Sequence, residues 1–137
     1  MCIRDRAQWE YACRAGTTTA FNLPLDGTSA DSQLAQLAWY SANSPGQTRP
    51  VGQKQSNNLG LHDMHGSVYE WVEDWYQSSY YAQSPAVDPS GPMSGGGRVA
   101  RGGSWYDTPA GCRASFRTYG SLNFFDPNAG FRVARTP

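Results

Sequence analysis

The sequence predicts one α+β domain that contains little regular secondary structure. Two short helical patterns lie in the first third of the 137-residue chain, and alternating strand patterns follow. Fifteen Gly and nine Pro separate these segments, which is typical of a loop-rich fold. A chain of this length suits a single domain with its own core, and the aromatic fraction of 13% indicates that the core packs around large rings.

The composition excludes several classes of function. The 11 basic and 11 acidic residues give a net charge of zero, so no nucleic-acid partner is expected. No apolar run is long enough to span a membrane, and no targeting signal is visible that would indicate a compartment. The cysteines Cys2, Cys13 and Cys112 are odd in number, which argues against a disulfide framework and leaves Cys13–Cys112 as the one pair to consider.

The two helical patterns differ in their end signals. Residues 7–15 are predicted to form a short helix with Trp9 on its apolar face, and Gly16 is a typical helix stop. A second helix is predicted to begin at an N-cap, Asp31, and to continue to about Leu37.

The middle of the chain contains one strand pattern and one long irregular segment. Residues 68–73 alternate between two sets of side chains, which predicts a strand whose aromatic face carries Tyr69 and Trp71. Residues 78–97 contain three prolines and a run of three glycines. Loops of this length inside a compact domain are usually functional or disordered.

The tetrapeptide Arg-Val-Ala-Arg occurs twice, at residues 98–101 and 132–135. Each copy predicts a short strand, and in the second one Phe131 and Val133 share a face. Between the copies lie residues 106–129, which are rich in Tyr, Phe, Gly, Asp, Asn, Ser and Pro. The local pattern by itself favours a hairpin with a long loop, whereas the aromatic content is also typical of a scaffold that presents a surface.

Four blocks of this chain resemble, in the same order, the formylglycine-generating enzyme family, also called sulfatase-modifying factors. They are residues 8–16 (QWEYACRAG), 58–71 (NLGLHDMHGSVYEW), 101–105 (RGGSW) and 130–134 (GFRVA). The resemblance implies a C-type-lectin-like α+β fold with a further N-terminal part, so we expect a truncated chain. Residues 1–6 differ from the family's lead-in, and we interpret them as a non-native leader before a domain at residues 7–137.

The resemblance also implies a copper-dependent oxidase that converts a sulfatase cysteine to formylglycine. That chemistry needs two cysteine thiolates, because soft sulfur ligands select Cu(I). Counted without gaps from the Gly-Gly-Ser motif, the two positions are Asp107 and Cys112. Because the first is not a cysteine, copper is not expected and a non-enzymatic role is favoured. Cys112 is catalytic only if the chain is an oxidase, and the alternative is a buried small hydrophobic residue. Arg113 and Arg117 fit the family better when a gap is opened, and the match of Cys112 to the second position is then accidental.

A calcium site is a further implication of the resemblance. Its ligands would be a side-chain oxygen of Asp63, the backbone carbonyls of Gly66 and Val68, and the carboxylate of Glu70. Hard oxygen ligands of this kind suit calcium. The alternative is that Asp63 caps a turn and that Glu70 pairs with an arginine.

Residues 106–129 also resemble the rewritten segment in the variable proteins of diversity-generating retroelements. There, template adenines are replaced, and rewritten Asn codons never yield Lys, Glu, Gln, Met or Trp. Residues 106–129 contain none of these five types, and Tyr and Phe offer large contact area at low entropic cost. Arg113, Ala114 and Arg117 stand at framework positions. We therefore predict a surface that binds a protein or another ligand, formed by Tyr106, Asp107, Thr108, Tyr119, Ser121, Leu122, Asn123, Phe124, Phe125, Asp126 and Asn128.

Overall fold

A computed structural model of the chain describes residues 5–23, 30–44, 46–87, 89–121 and 126–134. The described residues form two α-helices, one 3-10 turn and four strands, so the predicted α+β class with little regular structure is confirmed. These elements are α1 (Arg6–Arg14), α2 (Ala30–Leu37), β1 (Tyr69–Trp75), the 3-10 turn (Tyr80–Ala82), β2 (Arg98–Arg101), β3 (Arg117–Gly120) and β4 (Ala129–Gly130). Neither helix in this part of the chain is long and apolar enough to cross a membrane.

Helix α1 follows the predicted pattern closely. The side chain of Asp5 accepts a hydrogen bond from the Gln8 amide at 2.8 Å and so caps the first turn. The helix ends one residue earlier than the glycine signal indicates, because Ala15 itself adopts the left-handed conformation, with a φ of 48°. Trp9 and Cys13 are buried on the face that meets the sheet.

Asp5 and Arg6 fall within the stretch that we interpreted as a leader, and both contribute contacts. Arg6 is buried, and its backbone amide donates to Asp74 Oδ2 at 2.6 Å. Its guanidinium lies over the rings of Tyr81 and Tyr80, at 4.5 and 5.2 Å from their centroids. The start of α1 is thereby joined to β1 and to the 3-10 turn.

Helix α2 extends to the predicted residue, Leu37, but the N-cap prediction for Asp31 is wrong. Asp31 lies inside the helix, in its first turn. An acidic side chain is favourable there because it faces the positive end of the helix dipole.

The sheet has the strand order β3-β2-β1-β4. Strand β2 is antiparallel to both β1 and β3, whereas β4 runs parallel to β1. Strands β2 and β4 therefore do not form a hairpin, because β1 lies between them. The second Arg-Val-Ala-Arg copy follows β4, and its last residue lies outside the described residues.

The predicted C-terminal strand is wrong in its extent. Among the described residues, the strand covers Ala129–Gly130, Ala134 forms an isolated bridge, and Phe131 and Val133 are 63% and 67% exposed. The chain leaves the sheet at this point while Arg132 turns towards the carboxylate of Glu70.

Strand β1 carries its aromatic residues where predicted, but they do not form the most buried face. The fully buried positions are Glu70, Val72 and Asp74, whereas Tyr69 and Trp71 are half-buried. Two carboxylates on a buried face require partners, because an unpaired charge in the interior is costly.

The core consists of two apolar clusters, and each contains one cysteine. Cys13 packs between α1 and the sheet, and Cys112 packs with α2. Both thiols are free, so the Cys13–Cys112 bridge considered from the sequence is wrong. The cluster members are Trp9, Cys13, Met64, Val72, Val99 and Ala114 in the first, and Phe21, Leu34, Leu37, Ala38, Tyr40 and Cys112 in the second.

Candidate functional site

The loop between β2 and β3, residues 102–116, carries the first predicted ligand-binding residues. Gly102 and Gly103 begin it with φ values of 94° and 76°, which favour glycine. A Cβ atom on Gly103 would come within 2.8 Å of the Cys112 Sγ. The Gly-Gly pair therefore lets the β2–β3 loop close tightly over Cys112.

Backbone hydrogen bonds hold the first half of this loop against the rest of the fold. The Trp105 amide donates to the Ser67 carbonyl at 2.8 Å. The Ser41 amide donates to the Asp107 carbonyl at 3.1 Å. Because both bonds use main-chain atoms of the loop, they do not depend on which side chains the loop carries.

The side chain of Arg101 bonds the backbone in the second half of the loop. Its side chain is fully buried, and Nη2 donates to the Ala114 carbonyl at 2.7 Å and to Glu10 Oε2 at 2.6 Å. Nη1 donates to the Phe116 carbonyl. One arginine thus connects α1, β2 and the backbone of the loop.

The side chain of His65 also bonds the backbone of the loop. Nδ1 donates to the Cys112 carbonyl at 2.7 Å, and Nε2 accepts from the Asn22 amide at 3.3 Å and lies 3.6 Å from Cys13 Sγ. Burial lowers the pKa of His65 to about 4, so the ring is neutral at pH 7 and carries its proton on Nδ1. This histidine is a structural core residue.

Asp107 is the most heavily hydrogen-bonded of the predicted ligand-binding residues. Its Oδ2 accepts from the amide of Ser104 at 2.9 Å and from the hydroxyl of Ser104 at 2.5 Å. Its Oδ1 accepts from the hydroxyl of Tyr69 at 2.9 Å. Burial, followed by the Asp107 charge and hydrogen bond, raises the pKa of Tyr69, so its proton stays on the hydroxyl.

The other end of the segment formed by residues 106–129 also contacts Tyr69. The Tyr69 amide donates to the Asn128 carbonyl at 2.7 Å. Asp126 Oδ1 accepts from the Asn128 amide at 2.8 Å and closes a turn just before β4. The structure thus brings Asp107 and Asn128, from opposite ends of residues 106–129, to one residue of β1.

The other predicted ligand-binding residues are distributed differently. Tyr106 is 72% exposed and lies edge-to-face against Trp105, and Thr108 is exposed. Tyr119 is 55% exposed on the edge strand β3, where it stacks on Tyr76 with ring centroids 4.2 Å apart. Ser121 is exposed as well. Leu122, Asn123, Phe124 and Phe125 lie outside the described residues.

Both described cysteines lie in the interior of the protein. Cys13 and Cys112 are both completely buried, and burial raises the pKa of each thiol to about 12. Both are therefore protonated at neutral pH, whereas copper binding requires thiolates. Cys2 lies outside the described residues. In the part of the chain that the structure describes, no three His, Cys, Asp or Glu side chains group together as a metal site would require.

The carboxylate of Glu70 is fully engaged by protein groups. Arg132 donates from Nε at 3.0 and 3.1 Å and from Nη2 at 2.7 Å, and Trp9 Nε1 donates at 2.8 Å. Such a bidentate pair neutralises the carboxylate. This arrangement matches the alternative interpretation of Glu70 as the partner of an arginine.

The other predicted calcium ligands belong to the segment that directly precedes Glu70 in the chain. Asp63 has a φ of 57°, its Oδ2 accepts from the Gly52 amide at 2.7 Å, and its Oδ1 is buried without a partner among the described residues. Gly66 donates to the Gly102 carbonyl, and Val68 is half-buried. As they stand, these residues do not fit calcium, because the ion would have to displace the Arg132 guanidinium from Glu70. Calcium binding here stays a prediction.

A cavity of about 680 Å³ lies between α1, β1 and the C-terminal residues 132–134. Apolar side chains such as Leu61 and Met64 line most of it, and the Glu70–Arg132 pair forms part of its wall. The sequence analysis missed this cavity because its lining comes from segments that are far apart in the chain.

The sequence patterns include Tyr69, His65 and Arg101 but do not indicate that these residues support the loop. The Arg-Val-Ala-Arg motif singled out Arg101, but an alternating pattern places an arginine on the polar side of a strand rather than in the interior. Tyr69 was noted only as a member of an aromatic face. No local signal identifies a residue as the partner of a distant backbone carbonyl.

Comparison with known proteins gives consistent results. The family model described as "Sulfatase-modifying factor enzyme 1-like domain" matches residues 4–137. The chain is 33% identical over 143 residues to the formylglycine-generating enzyme of Streptomyces coelicolor, covering 96% of this chain and 46% of that protein. It is 33% identical over 136 residues to the serine/threonine-protein kinase Pkn1 of Chlamydia trachomatis, covering 97% of this chain and 21% of that protein.

Solved structures show the same fold. Treponema denticola variable protein 1 superposes with a TM-score of 0.79 at 34% identity, covering 94% of this chain and 45% of that one. PvdO from Pseudomonas aeruginosa superposes with a TM-score of 0.77 at 27% identity, covering 94% of this chain and 50% of that one. The chain thus spans half or less of the length of each of these proteins.

Proposed function

We propose that this chain, which belongs to the sulfatase-modifying factor enzyme 1-like domain family, is a non-oxidase member that binds a protein or another ligand through residues 106–129. The observation that carries the proposal is the environment of Asp107. At the position where the resemblance implies the first copper-binding cysteine, the chain has a carboxylate that accepts hydrogen bonds from Ser104 and Tyr69. These hydrogen bonds support a structural role for Asp107.

The state of the cysteines supports the same proposal. Copper-dependent oxygen activation needs two thiolates that can reach a metal and a substrate. Cys112, which stands at the second position when the count has no gaps, is completely buried, and burial raises the pKa of its thiol to about 12. Oxidase chemistry would require this residue to be exposed and deprotonated.

The form of the β2–β3 loop supports a role in binding. Its backbone is held by hydrogen bonds to Ser67, Ser41, His65 and Arg101, whereas Tyr106 projects into solvent. Aromatic side chains on a fixed backbone provide contact area with little loss of conformational entropy on binding. The 34% identity to a solved variable protein supports diversification of this surface as the finer form of the proposal.

The proposal is tested most directly at the DNA level. We expect a near-copy of the codons for residues 101–135 close to the gene, differing only at adenines, together with a reverse-transcriptase gene. Sequences from sibling strains should then differ at the codons for exposed residues such as Tyr106 and Thr108. The absence of such a repeat, with identical codons in all siblings, would rule out diversification.

Formylglycine generation is the alternative function, because relatives at 33% identity carry that name. The test is oxygen uptake by the copper-treated chain in the presence of a cysteine peptide. We expect no uptake above that of the Cys112→Ser variant. Uptake that disappears in this variant would overturn the proposal in favour of the oxidase.

A further inference from the structure

We infer that Tyr69 is a positioning residue that joins the two ends of residues 106–129, and that Asp107 is its partner in this role rather than a contact for the ligand. The inference rests on the proposed function, since it concerns how the proposed surface is held. It divides that surface into residues that fix the backbone and residues that are free to meet a partner.

Tyr69 is well placed to act as a junction. It is the first residue of β1, where it pairs with Ala129 of β4, and the next residue, Glu70, pairs with Arg101 of β2. Its amide donates to the Asn128 carbonyl, and its hydroxyl donates to Asp107 Oδ1. Tyr69 therefore contacts both ends of the segment, one end through its side-chain hydroxyl at Asp107 and the other through its backbone amide at Asn128.

Asp107 has little capacity left for a ligand. Its two carboxylate oxygens accept the Tyr69 hydroxyl and two donors of Ser104, and its carbonyl accepts the Ser41 amide. A Cβ atom on Gly111 would lie only 3.0 Å from Asp107 Oδ1, so the loop backbone also packs against this carboxylate. Replacing Asp107 would leave several donors unpaired, which is the costly case for a partly buried group.

Tyr106 and Thr108, unlike Asp107, have side chains that are free to contact a ligand. Both side chains are exposed, and the one hydrogen bond that the structure gives Tyr106 comes from its backbone amide, which donates to Ser104 Oγ at 3.3 Å. A change at either position alters the surface while the contacts of Tyr69 and Asp107 remain. These two flanking positions are the ones we assign to partner contact.

Hydrogen exchange of the full chain tests this division without a ligand. In Tyr69→Phe, we expect the amides of residues 104–107 to exchange about tenfold faster, the factor for one lost hydrogen bond to a charged group. The amides of residues 128–129 should keep their exchange rates, because the bond to the Asn128 carbonyl comes from the backbone amide of residue 69. Exchange in β3 should remain unchanged. Tyr119→Phe is the matched control, because it removes a hydroxyl from an exposed tyrosine of the same segment.

A double-mutant cycle separates positioning from general destabilisation. If Tyr69 and Asp107 act as one unit, the double variant Tyr69→Phe/Asp107→Asn should exchange no faster at residues 104–107 than the more affected single variant. Additive effects, or faster exchange throughout the sheet, would overturn the inference. Should Tyr69→Phe fail to fold, Asp107→Asn probes the same contact, and unchanged exchange at residues 104–107 would then overturn the inference.

Failure of this inference differs from failure of the proposed function. Unaltered exchange in Tyr69→Phe would refute the positioning role even in a chain whose locus carries a template repeat. Oxygen uptake that depends on Cys112 would refute the binding function, whatever the exchange experiment shows.

Discussion

The β2–β3 loop and the α1–β1 interface are held in place by different kinds of contact. In the loop, the rest of the fold mainly forms hydrogen bonds to backbone atoms, such as the carbonyls of Cys112 and Ala114. In the α1–β1 interface, side chains bond side chains, as in the hydrogen bond from Trp9 Nε1 to the Glu70 carboxylate. The first arrangement tolerates changes in surface residues, whereas the second fixes residue identity on both sides. We infer that this difference separates a surface that can vary from a scaffold that cannot.

Removing Arg101 should destabilise the protein most, because its side chain bonds both helix α1 and the backbone of the β2–β3 loop. Arg101→Met leaves Glu10 and the carbonyls of Ala114 and Phe116 without their donor. Loss of one partner from a buried pair costs about 3–5 kcal/mol, and we expect a loss of this size in urea unfolding. Arg113→Met, at an exposed position of the loop, should change the free energy of unfolding by less than about 0.5 kcal/mol. Equal effects of the two substitutions would contradict the assignment.

Acidification should weaken the support of the loop through His65. The folded pKa of His65 is about 4 and the ordinary value is 6.5, so the unfolded chain binds this proton first. The stabilisation is fully present above pH 6.5 and is lost as the pH falls towards 4, with a loss of about 3 kcal/mol at most. The comparison to make is denaturant unfolding of the wild type and His65→Gln at several pH values. His62→Gln, at an exposed position, is the control, and a pH slope that survives in His65→Gln would show that another group titrates.

Replacing Arg132 tests how much Glu70, the β1 residue that also bonds Trp9 of α1, depends on its arginine partner. Arg132→Gln leaves the buried Glu70 carboxylate with Trp9 as its donor, and we expect a loss of about 1–2 kcal/mol because Arg132 itself is partly exposed.

The same variant tests the predicted calcium site, since the guanidinium no longer competes for Glu70. If Asp63 and Glu70 can bind calcium, the ion should raise the melting temperature of Arg132→Gln more than that of the wild type. Identical responses to calcium and to a chelator in both proteins would contradict the predicted calcium site.

Substitution of Tyr106 should have the smallest effect on stability. Because the side chain is exposed and its backbone is held independently, Tyr106→Ala should change the free energy of unfolding by less than about 0.5 kcal/mol. Asp107→Ala, at the adjacent position, should cost about 1–3 kcal/mol, since it leaves the donors of Ser104 and Tyr69 unpaired. Thermal unfolding of both variants checks the difference, and a reversed order would refute the division of the surface.

The candidate site was only partly predictable. The sequence identified Asp107 as a residue of interest, but its hydrogen bonds join it to Tyr69, which is far away in the chain. Glu70 was proposed both as a calcium ligand and as the partner of an arginine, and the pattern offered no way to choose Arg132. In each case the deciding contact links segments that a local pattern cannot relate.

The sequence by itself determined the α+β class, helix α1 with Trp9 on its buried face, strand β2 and the irregular course of much of the chain. These features follow from side-chain periodicity, capping residues and glycine content, all of which act within a few residues. Only the tertiary structure decided that β4 runs parallel to β1, that Arg101 lies in the interior and that Tyr69 meets both ends of residues 106–129. These outcomes depend on pairing buried polar groups across the chain, because a buried charge or carbonyl is stable only beside its partner.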